Sequence, residues 1–196
     1  VMEKHRKICR LVHLPVQSGS DSVLKAMNRR YTSAQYLEEI KMLRSRLPGA
    51  EVTTDIIVGF PGETEEDYLA TEELVKKADF ASAFTFVYSP RTGTKAAAME
   101  NQVPEEVQKD RILRLVELVN SLTRKKSEKY VGTTAEILCE DYDEKKGLYL
   151  GRDEFGRMGY FKSEENLVGQ FVNLKITQAN GISLYGELAD KNHKEI

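Results

Sequence analysis

The chain has 196 residues, 40% of them hydrophobic and 31% charged, with a formal net charge of −2; this is a globular composition with room for one large or two modest domains, and it excludes a disordered or fibrous protein. No apolar run approaches the roughly 20 residues of a membrane helix, and the basic start at residues 1–10 leads into no apolar core of the length a secretion signal needs. Two cysteines, Cys9 and Cys139, make neither a disulfide framework nor a metal cluster, so the expectation is a cytoplasmic protein without a membrane partner, in which each cysteine is a small buried apolar residue.

Charge is unevenly spread. Residues 1–47 hold ten Lys/Arg against four Asp/Glu, whereas residues 130–189 hold six against ten. The N-terminal segment is therefore the better electrostatic candidate for an anionic polymer.

The first two-thirds reads as alternating strands and helices. Residues 10–17 form a short apolar strand that ends in the turn Gln17-Ser18-Gly19-Ser20. Ser20 or Asp21 caps a short helix through Met27. A second helix follows Thr32 or Ser33, with Leu37, Ile40, Leu43 and Leu47 on one face and Pro48-Gly49 at its end. Residues 52–58 are a strand whose unbroken Ile56-Ile57-Val58 predicts cover on both faces of a parallel sheet. After Gly59-Phe60-Pro61-Gly62, Thr64 and Asp67 form a capping box for a helix running to about Lys77. Residues 83–88 are a third strand, left through the loop 89–94. A long helix starts near Pro104, buries Ile112, Leu115, Val119 and Leu122, and ends in Arg124-Lys125-Lys126. Three strand–helix units imply a mainly parallel α/β sheet, open or barrel-like.

After Lys129 the pattern changes. Residues 133–139, 147–151, 158–161, 170–177 and 183–188 are short strands without helical periodicity between them, which predicts a small OB-like all-β barrel. The expected organisation is residues 1–129, residues 130–189 and a loose tail at 190–196.

Three loops follow strand C-termini: 17–20, 59–64 and 89–94. In a parallel α/β scaffold ligands bind at those ends. Glycines permit close backbone approach, while Gln, Ser, Thr and Arg supply donors. Together the loops point to a small-molecule site.

These segments also resemble a known family. His13-Leu14-Pro15-Val16-Gln17-Ser18-Gly19-Ser20-Asp21, with Val23 to Met27 after it, is similar to the MiaB-type radical-SAM methylthiotransferases. So are Thr54-Asp55-Ile56-Ile57-Val58-Gly59-Phe60-Pro61-Gly62-Glu63-Thr64 and the stretch from Phe84 to Thr94, in the right order along nearly the whole chain. The resemblance implies the second half of a partial (β/α)6 radical-SAM barrel followed by a TRAM module. It implies S-adenosylmethionine near Gln17 and Ser18, with Asp55, Ile57 and Gly59 towards adenine and backbone groups of Phe86 to Tyr88 at its edge. Arg91, whose planar fork suits either, would meet a carboxylate or an RNA phosphate. Arg152, Arg157 and Lys162, beside Phe155 and Tyr160, would face RNA on the TRAM barrel. Asp55 is alternatively an internally hydrogen-bonded barrel residue, Glu63 a helix N-terminal carboxylate, and His13 a satisfied core histidine.

The implied reaction is methylthiolation of isopentenyladenosine beside the tRNA anticodon. The family uses two 4Fe-4S clusters and a reducing electron donor, and thiolates hold such clusters. This chain has neither cysteine triad. It is therefore expected to be part of a longer enzyme with the cluster ligands upstream, inactive alone, with no catalytic or metal-ligating residue of its own. The alternatives are a non-catalytic RNA-binding protein, or a sibling methylthiotransferase acting on threonylcarbamoyladenosine tRNA or a ribosomal protein.

Overall fold

The computed structural model describes residues 1–5 and 7–189; the expected tail at 190–196 lies outside the described residues. The chain divides into two units: Val12–Leu122, and Val1–Leu11 together with the residues from Thr123 on.

A three-stranded sheet organises the first unit, in the order β1 (Leu11–His13), β2 (Glu51–Val58), β3 (Ser82–Val87). β2 and β3 run parallel, in register from Thr53 opposite Ser82 to Val58 opposite Val87. β1 is shorter than the strand predicted over 10–17, because Pro15 has no N–H to give to a ladder. The Thr54 hydroxyl substitutes there. It donates to the Leu14 carbonyl at 2.8 Å and accepts from the Val16 N–H at 2.9 Å. Pairing resumes at Gln17, whose N–H reaches the Asp55 carbonyl at 2.8 Å and whose carbonyl accepts from Ile57 at 2.9 Å.

The helices start where their caps predict. Ser20, of the two candidates, caps α1 (Asp21–Ala26). Thr32 with Gln35 caps α2 (Ser33–Arg46), and Thr64 with Asp67 caps α3 (Glu65–Ala78). α4 (Glu105–Ser127) follows Pro104. These helices bury Tyr36, Ile40, Tyr68, Leu74, Val75, Leu115 and Val119 against Val52, Ile56 and Val58 of β2. Removing each such large side chain from water contributes about 1.5–3 kcal/mol. Burial alternates along β2, with Val52, Thr54, Ile56 and Val58 buried and Thr53, Asp55 and Ile57 only partly so. The expectation of cover on both faces is thus corrected: Ile57 belongs to the face away from the helical core.

The second unit contains the five short strands expected. β4 (Thr134–Asp143), β5 (Leu148–Arg152), β6 (Met158–Phe161), β7 (Phe171–Asn180) and β8 (Ser183–Leu188) close into a barrel in the order β4-β5-β6-β8-β7. All pairs are antiparallel except β6 with β8. Closure removes the sheet edges. Ile137, Cys139, Phe161, Leu174, Ile176 and Leu184 fill the interior. Cys139 is thus a small core residue as expected, and burial pushes its thiol up. Cys9 is exposed instead, in an irregular stretch that joins no core.

Candidate functional site

A cavity of about 550 Å³ opens where the chain leaves β2 and β3. Gln17, Asp55, Ile57, Phe86, Tyr88 and Arg91 line it, with Val87, Ser89, Thr94 and Ala96. Strand geometry brings the first four together. The parallel register puts Asp55 beside Phe84 and Ile57 beside Phe86, so residues two apart share a face.

Each lining residue has a local reason for its place. Gln17 is non-glycine with φ of 71°, a left-handed conformation held by the two backbone bonds to β2. The Tyr88 N–H is taken by the Val58 carbonyl at 2.9 Å, so the adjacent Val87 backbone groups point to the free edge of β3. Tyr88 packs edge-on against Phe60 with centroids 5.2 Å apart, and its buried hydroxyl has no partner among the described residues. Arg91 is exposed and makes no ion pair among the described residues.

Ser18 and Gly59 do not line the cavity; they hold its loops. The Ser18 hydroxyl is buried 3.3 Å from the Thr71 hydroxyl of α3, which also accepts the Gly19 N–H at 2.9 Å. Ser20 and Ser22 both donate to Asp67, at 2.5 and 2.6 Å, and the Thr64 N–H and hydroxyl reach its other oxygen. Burial of Asp67 would raise its pKa, but these donors outweigh it and hold the carboxyl below the usual range.

The 59–64 loop is clamped from α4. Glu63 accepts from the Gly59 N–H at 2.9 Å and from Arg111 at 2.8 Å, and Arg111 also donates to the Glu63 carbonyl at 3.1 Å. Both side chains are buried, 1% and 5% exposed. Burial pushes the Glu63 carboxyl up, against the Gly59 N–H and the Arg111 charge. Gln108 donates to the Gly59 carbonyl at 3.3 Å, and the Gly62 N–H meets the Asn101 carbonyl at 2.8 Å. Periodicity marked α4 as an apolar packing helix; nothing local in the sequence announces that Arg111 turns inward.

His13 is not the core histidine expected. Its side chain is 47% exposed, 3.4 Å from the Asp55 carboxylate and 3.0 Å from the Thr53 hydroxyl. It shares its face of the sheet with Asp55, which lines the cavity.

On the barrel, Arg152 pairs with Glu140 at 2.5 Å across a partly exposed surface. Lys162 is exposed. Arg157 turns inward instead, paired with Asp153 and stacked 3.8 Å over Tyr130 and 4.7 Å over Phe155. Tyr160, named in the sequence reading, stacks outward on Tyr185, which that reading missed, at 5.0 Å and 17°, with the Lys146 ammonium 5.6 Å from Tyr160. The signal was strand parity, each tyrosine adjoining an inward residue, Phe161 and Leu184.

Residues 1–75 match the Radical SAM superfamily and residues 128–189 the TRAM domain. The chain is 46% identical over 187 residues, 95% of its length, to the tRNA-2-methylthio-N(6)-dimethylallyladenosine synthase of Caldicellulosiruptor saccharolyticus. It is 48% identical over 183 residues, 93% of its length, to the enzyme of the same name from Clostridium beijerinckii. It spans 40% of each of these curated relatives. Its fold is similar to that of coproporphyrinogen III oxidase from Escherichia coli, described as a radical SAM enzyme, with a TM-score of 0.50 at 16% identity over 85% of this chain and 41% of that one. That likeness concerns the fold alone. Along nearly all of its length the chain is thus similar to curated tRNA-2-methylthio-N(6)-dimethylallyladenosine synthases, with residues 1–75 matching the Radical SAM superfamily and residues 128–189 the TRAM domain.

Proposed function

We propose that the cavity binds S-adenosylmethionine and that the chain is the cofactor-positioning and RNA-facing part of an enzyme that methylthiolates N6-dimethylallyladenosine in tRNA, beside the anticodon. One observation carries this reading: residues from three separate loops and strands line a single cavity of about 550 Å³, within the range of small-ligand sites. The relatives' names favour this substrate over threonylcarbamoyladenosine or a ribosomal protein, and an enzyme over a non-catalytic RNA-binding protein.

The lining fits that cofactor. Ile57 and Phe86 offer apolar surface to adenine, and the outward Val87 backbone offers it a donor and an acceptor. Asp55 accepts from hydroxyl or ammonium groups, Arg91 is free to fork onto a carboxylate, and Gln17 and the unpartnered Tyr88 hydroxyl add polar contacts. S-adenosylmethionine, when bound, supplies the radical and the methyl group. Ser18 and Gly59 act one step back, through the loops they hold. The chain's own cysteines do not fit an iron–sulfur cluster, since Cys139 lies in the barrel interior and Cys9 stands apart from it. The two clusters of the family would be ligated by residues outside this chain, with an electron donor to reduce them, in a cytoplasmic enzyme. No described helix is long and apolar enough to cross a membrane.

The RNA face is assigned to the barrel. Arg152 and Lys162 supply exposed charge, and the Tyr160–Tyr185 stack is a surface on which a base can lie. Arg157 supports this face by holding the 153–157 loop.

Calorimetric titration of the chain with S-adenosylmethionine tests the cavity. Arg91→Ala and Ile57→Ser are each expected to weaken binding about tenfold, the loss of one good contact. Phe171→Ala, on the barrel surface, leaves it unchanged. Binding that ignores both cavity substitutions, or no binding near 1 mM (about −4 kcal/mol), refutes the assignment.

A further inference from the structure

We propose that Thr54, Tyr36 and Tyr31 are positioning residues for Gln17: their hydroxyls hold a one-residue bulge at 14–16 that brings Gln17 to the cavity. The inference rests on the reading that the cavity takes S-adenosylmethionine.

Thr54 stands out on its face of β2. Its neighbours there are Val52, Ile56 and Val58, and all four are buried, Thr54 with 0% exposure. A hydroxyl in such a place needs partners, and it finds them in the segment that leads to Gln17. Thr54 Oγ1 accepts from the Val16 N–H at 2.9 Å and donates to the Leu14 carbonyl at 2.8 Å. From α2, the Tyr36 hydroxyl donates to the same carbonyl at 2.6 Å and lies 3.3 Å from Thr54 Oγ1. The Tyr31 hydroxyl reaches the Pro15 and Val16 carbonyls at 3.2 and 3.1 Å. Burial pushes the Tyr36 phenol up to about 12, so it remains a donor at neutral pH.

These bonds set the register. The Leu14 N–H bonds the Thr53 carbonyl at 2.8 Å, and an unbroken parallel ladder would next join the Val16 N–H to the Asp55 carbonyl. Thr54 takes the Val16 N–H instead. The Asp55 carbonyl receives the Gln17 N–H, at 2.8 Å, so three residues of this segment pass two of β2. That is a bulge, a device that re-aims a side chain beside a site. A slip of one residue would exchange Gln17 for Val16 or Ser18, both of which are buried, Val16 in the helical core and Ser18 against Thr71. Gln17 pays for its place with φ of 71°, a conformation rare outside glycine. A regular ladder would satisfy the same backbone groups without buried hydroxyls and without that strain. What the bulge adds is the Gln17 side chain in the cavity wall.

Calorimetric titration with S-adenosylmethionine tests the role. Valine matches the shape of threonine but cannot capture the Val16 N–H, whereas serine keeps the oxygen. Thr54→Val is expected to weaken binding about tenfold and Tyr31→Phe about threefold, while Thr54→Ser stays within about twofold of the parent. Ile40→Val, a core truncation on α2, lowers the urea midpoint but should leave affinity within about twofold, which separates position from stability. Amide hydrogen exchange gives a second readout. Thr54→Val should accelerate exchange at Gln17 about tenfold relative to the α3 amides, and Thr54→Ser should not. Parental affinity in Thr54→Val or in Tyr31→Phe overturns the role, as does a loss in Thr54→Ser equal to that in Thr54→Val. A parent chain that binds no S-adenosylmethionine near about 1 mM overturns the cavity assignment instead. Exchange at Gln17 then decides the bulge by itself: acceleration in Thr54→Val upholds the hold on Gln17, and unchanged protection overturns it.

Discussion

Arg111→Met is the most informative perturbation of the site's frame. The variant keeps the apolar stem of Arg111 but leaves the Glu63 carboxylate, 1% exposed, with the Gly59 N–H alone. Breaking a buried pair on one side costs about 3–5 kcal/mol, because the survivor stays desolvated. Against a total of about 5–15 kcal/mol for a domain, that is a large share. Adding Glu63→Gln removes the stranded charge, while the amide oxygen can still accept from Gly59. The double variant should therefore lie within about 2 kcal/mol of the parent, giving a coupling of at least about 2 kcal/mol. Urea unfolding followed by far-ultraviolet circular dichroism measures all four corners of the cycle. The sign of the pH dependence follows from the same charge. In Arg111→Met the folded-state pKa of Glu63 lies above its unfolded value. The deficit is therefore smallest below the ordinary carboxylate pKa of about 4.3 and grows as pH rises through the folded value. A single variant within about 1 kcal/mol of the parent, or a double variant as damaged as the sum of the singles, refutes the clamp.

Asp67 carries the opposite sign. Its folded pKa is lowered, so its contribution is present above the ordinary carboxylate value of about 3.9 and is lost as pH falls through the folded one. The melting temperature of Asp67→Asn should accordingly fall less than the parent's on acidification below about pH 4, and parallel profiles would exclude the role. On the barrel, a Cβ at Gly151 would run into the backbone carbonyl of Leu138, which cannot swing aside. Gly151→Ala should cost about 3 kcal/mol or more and collapse the dispersion of the barrel resonances; a native-like spectrum would refute this. Arg157→Ala should destabilise the barrel by about 3 kcal/mol by stranding Asp153, whereas Arg152→Ala should cost less than about 1 kcal/mol. Lys162→Ala should weaken RNA binding modestly and lower its salt slope by about one, visible in filter binding. Full stability with lost RNA affinity in Arg157→Ala would overturn its structural role.

Much of the frame was legible in the chain because it rests on local chemistry. The Thr64–Asp67 and Thr32–Gln35 boxes mark helix starts through bonds to residues three apart. The five barrel strands follow from short alternating runs and turns. Cavity residues were legible wherever a loop motif carried them, as with Gln17, Asp55 and Arg91. Ser18 and Gly59 shared those motifs but hold the loops instead. Which residue of a loop lines the cavity and which anchors the loop depends on contacts made about fifty positions away, at Thr71 and Gln108.

By itself the sequence determined the two-part architecture, the order of strands and helices, and the three loops that meet at the strand ends. Tertiary structure alone decided the partners of the charges. Hydrophobic periodicity reports which face of an element is buried, but it does not say which charged side chain follows that face inward. Arg111 sits on a helix legible only by its apolar face and Arg157 in a stretch expected to face RNA, yet each finds a buried carboxylate, Glu63 and Asp153. His13 sits in a stretch that reads as core, yet register turns it to the open face beside Asp55. The physical reason is common to all three. A charge goes where a counter-charge and hydrogen bonds offset its desolvation, and strand pairing and helix packing bring those partners together across long stretches of chain.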